Sequence, residues 1–210
     1  MLNLQLGRQV FGDEKNRGNL LEREVALSLL NDWVKNERLK LHMYQVGSLM
    51  KTWAMEKEQA DDKEAWKWEM AGLLHDADWD QWPDQHCRKI IEYLEGLNID
   101  PEVLHAIASH GHVHFGVEPI SKMDKMLYAF DELSGLVHAY SLMRPAGYEG
   151  MDIKGVSKRL KEKTFAAGVS REDIHDACTR ANIQLSDLIE FIIKYQPTVG
   201  LNCSSGGCNC

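Results

Sequence analysis

The chain has 210 residues, of which 44% are hydrophobic and 27% charged, a composition typical of a globular protein with one substantial core. The formal net charge of −8 disfavours binding to nucleic-acid polymers or anionic membranes, because both require a basic surface. There is no apolar run of the ~18 residues that a spanning helix requires, and the first residues do not resemble a signal peptide. We therefore expect a cytoplasmic location, with neither nucleic-acid polymers nor membranes as partners.

Helical periodicity begins after an N-terminal arm, which we predict over residues 1–22. Apolar residues recur at helical spacing over residues 23–34 and again over residues 39–53, where the apolar stripe includes His42. A third helix is predicted over residues 62–76, after an aspartate that can cap its first turn. These elements predict three consecutive amphipathic helices.

The next part of the chain also carries helix-start signals. Asp84 can cap a helix that includes His86, and Asp100-Pro101-Glu102 combines a cap with proline at the first helical position. The helix that follows this proline is predicted to end at His110. Ser121-Lys122-Met123-Asp124 resembles a capping box with Asp in place of Glu, and predicts the start of a long helix that contains Asp131.

The last third of the chain predicts shorter helices over residues 153–165, 171–182 and 185–195, with Ser170 as a cap and a loop after residue 197. Neither an alternating strand pattern nor an internal repeat is present, so the predicted fold is an all-α helical bundle. The predicted division is the arm at 1–22, a metal-binding helical domain at 23–148, a helical extension packed on it at 149–197, and a tail at 198–210.

The tail is rich in cysteine. Its three cysteines, Cys203, Cys208 and Cys210, lack the paired C-x-x-C spacing of a zinc ribbon. An odd total of five cysteines without a signal peptide argues against a disulfide framework. The role of this tail stays open.

Residues that bind metals recur on or beside the apolar stripes of five predicted helices. Bundle proteins build metal sites from such inward-facing side chains, and His with Asp suits transition metals better than Mg²⁺. We predict one or two divalent ions, Fe or Mn in the first place, with Co, Ni and Zn also compatible. Asp76 would bridge the two ions. The predicted ligands are His42, His75, Asp76, His86, His110 and Asp131.

The order His, His-Asp, Asp on helices resembles the HD superfamily of metal-dependent phosphohydrolases over about residues 23–145. Leu73-Leu74-His75-Asp76 is similar to the central motif of that family, and His42 and Asp131 fit its first histidine and last aspartate. The segment from His86 to His110 resembles an insertion that brings two further histidines and a second metal. The stretch from Gly155 to Asp173 resembles the C-terminal part of an HD subfamily whose substrate we cannot name.

The resemblance implies hydrolysis of a small phosphomonoester or nucleotide by a metal-activated water, with Asp76 and His75 as catalytic residues. Many HD hydrolases continue as His-Asp-Ile-Gly-Lys, whereas Ala77-Asp78-Trp79 follows here, so the phosphate-binding lysine is missing. Lys122 and Lys125 are the predicted replacements. Lysines 158, 161 and 163 are further candidates.

Two other functions fit the same ligands. The first is an HD-type di-iron oxygenase, and the second is a non-catalytic module that binds a nucleotide.

Three residues beside the motif have predicted supporting roles. Asp80 can orient a ligand histidine, and Trp79 and Trp82 can stack a base. The oligomeric state has no signal in the sequence.

Overall fold

Residues 18–201 are described by a computed structural model, except for the side chains of residues 113, 114 and 201. In this range every regular element is a helix, and extended segments pair only at one parallel bridge between Asn19 and Ile99. None of the helices between residues 18 and 201 has the length and apolar content needed to cross a membrane. The helical content confirms the predicted all-α class.

Helices follow one another along the whole described range, with a single 3₁₀ turn at Pro83–Gln85. Residues 1–17 of the predicted arm and the three tail cysteines lie outside the described residues. In chain order the α-helices are α1 (Arg23–Trp33), α2 (Glu37–Lys57), α3 (Asp62–Leu74), α4 (Arg88–Gly96), α5 (Pro101–His110), α6 (His112–Phe115), α7 (Lys122–Met143), α8 (Ile153–Lys161), α9 (Arg171–Ala181), α10 (Leu185–Tyr195) and α11 (Thr198–Leu201).

Side-chain caps begin most of the long helices at or near the predicted residues. Asp61 accepts a hydrogen bond from the Glu64 amide at the start of α3, and Asp100 accepts one from the Glu102 amide at the start of α5. Asn36 caps α2, and the helix begins at Glu37, two residues before the predicted start at residue 39. The unpaired amides of the first turn explain why these residue types occupy these positions.

The capping box predicted before α7 is present. The Asp124 amide donates to Ser121 Oγ at 3.0 Å, and the Ser121 amide donates to Asp124 Oδ2 at 2.9 Å. The same carboxylate oxygen accepts a hydrogen bond from His105 Nδ1 at 2.8 Å. Because His105 lies on α5, this buried contact joins the middle of α5 to the start of α7.

Two of the predicted helix bounds are wrong for local reasons. The helix predicted from Asp84 begins at Arg88, because Pro83–Gln85 forms a 3₁₀ turn instead. The helix predicted over residues 153–165 ends at Lys161. In the loop that follows, the Arg171 guanidinium donates to the carbonyl oxygens of Ala166 and Val169, and these bonds hold the backbone in turns.

The chain divides into two compact units, and the division falls inside α7, after Tyr128. In the second unit Phe130 stacks on Phe191 with ring centroids 5.7 Å apart, and Gln196 donates to the Ser134 carbonyl oxygen at 3.0 Å. These contacts form the interior of that unit. The domain boundaries predicted at residues 22, 148 and 197 stay predictions.

In the first unit α2 and α3 touch backbone to backbone. A Cβ at Gly72 would lie 2.8 Å from the Cα and N of Gly47, and a Cβ at Gly47 would lie 2.9 Å from the Leu73 side chain. Real Cβ contacts are essentially never this short, so both positions require glycine at this crossing. The crossing brings the two helices closer than larger residues would allow.

Buried charges join α3 to its other neighbours. Arg23 of α1 makes two hydrogen bonds of 2.5 Å to Glu69, and its guanidinium lies over the Trp66 ring. Lys67 is buried and pairs with Glu102 of α5 at 2.7 Å. Burial opposes its charged form, but the attraction of Glu102 and Glu64 outweighs this, and the pKa of Lys67 is raised.

We expect Gly72→Ala to destabilise the protein, because the added methyl group would force α2 and α3 apart at Gly47. Overpacking of this kind costs about 1–3 kcal/mol, measurable by chemical denaturation. The control is Gly135→Ala in the middle of α7, where a Cβ meets nothing within 4 Å. This control should gain up to ~1 kcal/mol from helix propensity. Unchanged stability of Gly72→Ala would contradict the close crossing.

Candidate metal centre

Five of the six predicted ligands lie in the first unit, and their positions depend on how three helices end or begin. His42 lies on the second turn of α2 and is half-buried. His75 and Asp76 lie just beyond the end of α3, in a run of turns, so the helix predicted to residue 76 stops at Leu74. His110 is the last residue of α5. His86 precedes α4 and is not on a helix, which corrects its predicted position.

Asp76 lies between two pairs of histidines. Its Oδ2 is 3.4 Å from His75 Nε2 and 3.9 Å from His42 Nε2. Its Oδ1 is 3.5 Å from His86 Nε2 and 3.5 Å from His110 Nε2. Each carboxylate oxygen therefore faces one pair of ring nitrogens, as a carboxylate that bridges two ions must.

Hydrogen bonds determine which nitrogen of each buried ring carries the proton. His75 Nδ1 lies 2.7 Å from the Gly72 carbonyl oxygen, and His110 Nδ1 lies 2.6 Å from the Ile107 carbonyl oxygen. A carbonyl oxygen only accepts, so both Nδ1 atoms donate. In the neutral imidazole this leaves the lone pair on Nε2, which is the nitrogen that faces Asp76 in both residues.

A buried carboxylate orients His86. Asp78 has no exposed surface, and its Oδ1 accepts a hydrogen bond from His86 Nδ1 at 2.9 Å. Asp78 also accepts from the amides of Cys87 and Ile90, so it caps α4 in place of the predicted Asp84. A carboxylate behind a metal-binding histidine orients the ring and raises its basicity.

Sequence reasoning assigned this orienting role to the wrong aspartate. Asp80 accepts hydrogen bonds from the backbone amides of Lys35 and Asn36, at 2.7 Å and 3.0 Å, and so joins two loops. The sequence shows two aspartates, Asp78 and Asp80, shortly after the His-Asp motif. Only the fold shows which of them contacts a histidine.

The two predicted stacking residues differ in their surroundings. Trp79 is half-exposed, and its ring meets the His86 ring edge-on with centroids 4.7 Å apart. Trp82 packs edge-on against Trp33 at 4.9 Å. Trp79 therefore borders the candidate centre directly, whereas Trp82 packs against α1.

The remaining predicted residues lie on α7. Asp131 is half-buried on the part of α7 that belongs to the second unit, and its role as a ligand stays a prediction. Lys122 is mostly exposed and forms an ion pair with Glu58 at the end of α2. Lys125 is half-buried. The substrate-binding role of both lysines stays a prediction.

The donor atoms in the first unit fit a divalent metal. His86 Nε2 and His110 Nε2 are 3.2 Å apart, and the lone pairs of both face Asp76 Oδ1. A bound cation would relieve the repulsion between these lone pairs. Two nitrogens bound to one tetrahedral ion at about 2.0–2.1 Å lie about 3.3–3.4 Å apart, close to the observed separation. In the other half, ligand atoms of His42, His75 and Asp76 lie within 4.8 Å of one another.

Imidazole nitrogens around one carboxylate, in a helical unit, are a donor arrangement that could hold a divalent metal. Residues 41–136 match the HD domain family, so this segment of the chain is an HD domain, as the sequence motif indicated. HD domains bind divalent metals, and the family includes metal-dependent hydrolases. Comparison of the chain with curated proteins and with solved structures finds no match.

We expect Asp78→Asn to weaken metal binding at His86 and His110 by about 10–100-fold, as is usual when the carboxylate behind a ligand histidine is lost. Binding near His42 and His75 should persist, because neither ring contacts Asp78 in the hydrogen bonds described above. Ions bound per chain, measured by elemental analysis after dialysis at a series of free metal concentrations, test this.

The matched control is Asp80→Asn, which removes an exposed carboxylate that also accepts two backbone amide hydrogen bonds but contacts no ligand histidine through them. It should keep the wild-type metal content. Equal metal affinity in Asp78→Asn and Asp80→Asn would contradict the orienting role of Asp78.

Proposed function

We propose that this protein is a metal-dependent phosphohydrolase that acts on a small phosphomonoester or a nucleotide. The observation that carries the proposal is the Asp76 carboxylate between two histidine pairs, 3.4 Å and 3.9 Å from one and 3.5 Å from each member of the other. The HD domain supports metal-dependent hydrolysis as the type of activity. The assignment of a phosphate ester as the substrate is the more specific step of the proposal.

The ligands of the two ions would be His42, His75, Asp76, His86 and His110, with Asp131 as the predicted sixth. When bound, the ions would lower the pKa of a water molecule and neutralise charge that develops on the phosphoryl oxygens. Asp76 would bridge them and accept a hydrogen bond from the attacking water. His75 would bind an ion through the lone pair on its Nε2 atom. The hydrogen bond from Nδ1 to the Gly72 carbonyl oxygen keeps the proton on Nδ1 and that lone pair available.

A small substrate is favoured by charge. The net charge of −8 repels polyanions at long range, whereas a single phosphate can be held by bound ions at close range. Of the predicted phosphate-binding lysines, Lys122 already pairs with Glu58, and Lys125 is the stronger candidate for this reason.

A di-iron oxygenase is the second candidate, and one observation favours it. The third residue after the His-Asp motif is Trp79, where many HD hydrolases carry the lysine that meets phosphate. Its half-exposed ring lies against His86 and offers no positive charge to an anion. A non-catalytic nucleotide-binding module is the third candidate, and it predicts binding without turnover.

Turnover with and without oxygen separates these functions. We expect the protein loaded with Mn²⁺ or Fe²⁺ to release inorganic phosphate from at least one member of a panel of phosphomonoesters and nucleotides, at the same rate under air and under argon. Turnover that needs both iron and O₂ would favour the oxygenase. Nucleotide binding by calorimetry without product would favour the module.

Asp76→Ala should lower phosphate release by about 10²–10³-fold, because it removes the group that bridges the ions. It should also lower the metal content of the purified protein. Asp84→Ala, which removes an exposed aspartate from the 3₁₀ turn, is the control and should retain both. Full activity in Asp76→Ala would contradict the assigned site.

A further inference from the structure

Cys87 has a thiol that the proposed chemistry does not use, although it lies beside two of the histidines. Its side chain is buried, and its sulfur lies within 4.8 Å of one ring nitrogen each of His86 and His110, which are also within that distance of each other. Three potential ligand atoms from two separate segments therefore meet in one place.

The backbone around Cys87 places its sulfur beside the end of α5. Cys87 has φ +65°, a left-handed conformation that side chains rarely adopt, and its amide donates to Asp78 Oδ1. The same carboxylate oxygen holds His86 Nδ1. A Cβ at Gly111, the residue after His110, would meet the Cys87 sulfur at 3.4 Å. One carboxylate thus holds both Cys87 and His86, and the sulfur lies against the end of α5.

We propose that Cys87 is a thiolate ligand of the ion held by His86 and His110, and that this half of the centre selects a thiophilic divalent ion such as Zn²⁺, Co²⁺ or Fe²⁺ over Mn²⁺. The protein donors that meet here are then two nitrogens and one sulfur, and Asp76 Oδ1 lies 3.5 Å from the Nε2 atom of each ring. Nitrogen and sulfur donors of this kind suit a tetrahedral ion. On binding, the thiol releases one proton to solvent as its sulfur forms the bond to the metal.

The two halves of the centre then differ in hardness. His42, His75 and Asp76 contribute nitrogen and oxygen, whereas His86, Cys87 and His110 contribute nitrogen and sulfur. Sulfur ligands favour zinc, copper and iron, and oxygen ligands favour manganese and magnesium. The inference rests on metal binding at the candidate centre, and it does not depend on the substrate of the proposed phosphohydrolase.

Cobalt spectroscopy tests the sulfur ligand directly. The parent protein for the test is the full chain with Cys203→Ser, Cys208→Ser and Cys210→Ser, which leaves Cys87 and Cys178 as its thiols. We expect Co²⁺ binding to the parent to produce a sulfur-to-cobalt charge-transfer band in the near ultraviolet. Cys87→Ser should lose this band while cobalt still binds through the histidines.

Cys178→Ser is the matched control. Cys178 is a second buried thiol, on α9, and burial raises the pKa of its thiol, so it does not readily supply a thiolate. The variant should keep the band at parental intensity. Far-ultraviolet circular dichroism of each apo protein verifies that the variants are folded.

A band that persists in Cys87→Ser, or parent protein that binds cobalt without the band, would overturn the proposal and leave the phosphohydrolase proposal intact. Parent protein that binds no cobalt would overturn both, because the metal centre itself would be wrong. Should Cys87→Ser not fold, X-ray absorption of the zinc-loaded parent decides instead. A sulfur scatterer at about 2.3 Å supports the assignment, and nitrogen and oxygen scatterers alone overturn it.

Discussion

The close crossing of α2 and α3 at Gly47 and Gly72 is the contact on which the candidate centre depends. The two helices are joined by a short turn, so they run antiparallel and their ligands lie on the same side of the crossing. His42 is five residues from the crossing, or about 7–8 Å along its helix, and His75 is three residues away, or about 4–5 Å. Gly72 also supplies the carbonyl oxygen that accepts from His75 Nδ1. One glycine therefore determines both the distance between the helices and the tautomer of a ligand.

A buried ion pair joins α3, the helix before His75, to α5, the helix that carries His110. Lys67 on α3 precedes His75 by eight residues, and Glu102 on α5 precedes His110 by eight residues. The 2.7 Å contact between them therefore joins the two helices at matching distances from their ligands. Without Glu102, Lys67 would keep its 2.9 Å ion pair with Glu64, but that pair lies within α3 and does not join it to α5.

Much of the fold could be predicted because it depends on short-range signals, and the residues that meet at the candidate centre were also named from the sequence, although their role as ligands stays a prediction. Helical spacing of apolar residues and caps such as Asp61, Asp100 and Ser121 depend on neighbours within one or two turns. The role of Asp78 depends instead on the path of the chain to His86 and Ile90, eight and twelve residues later. Nor does any local pattern distinguish Gly47 and Gly72 from other helical glycines, because their requirement comes from a neighbouring helix.

The electrostatics of the first unit favour a cation at the point where the rings meet. The buried Asp78 carboxylate accepts two amide hydrogen bonds and one from His86, which places a carboxylate directly behind the His86 ring. Asp76 adds a second carboxylate 3.4–3.9 Å from the ring nitrogens. Histidines held by carbonyl oxygens, such as His75 and His110, contribute lone pairs without net charge. Under the proposed phosphohydrolase function, with Trp79 in place of the lysine that many HD hydrolases carry, bound ions would supply much of the positive charge for the phosphate. The carboxylates that favour the ions would then favour substrate binding through those ions.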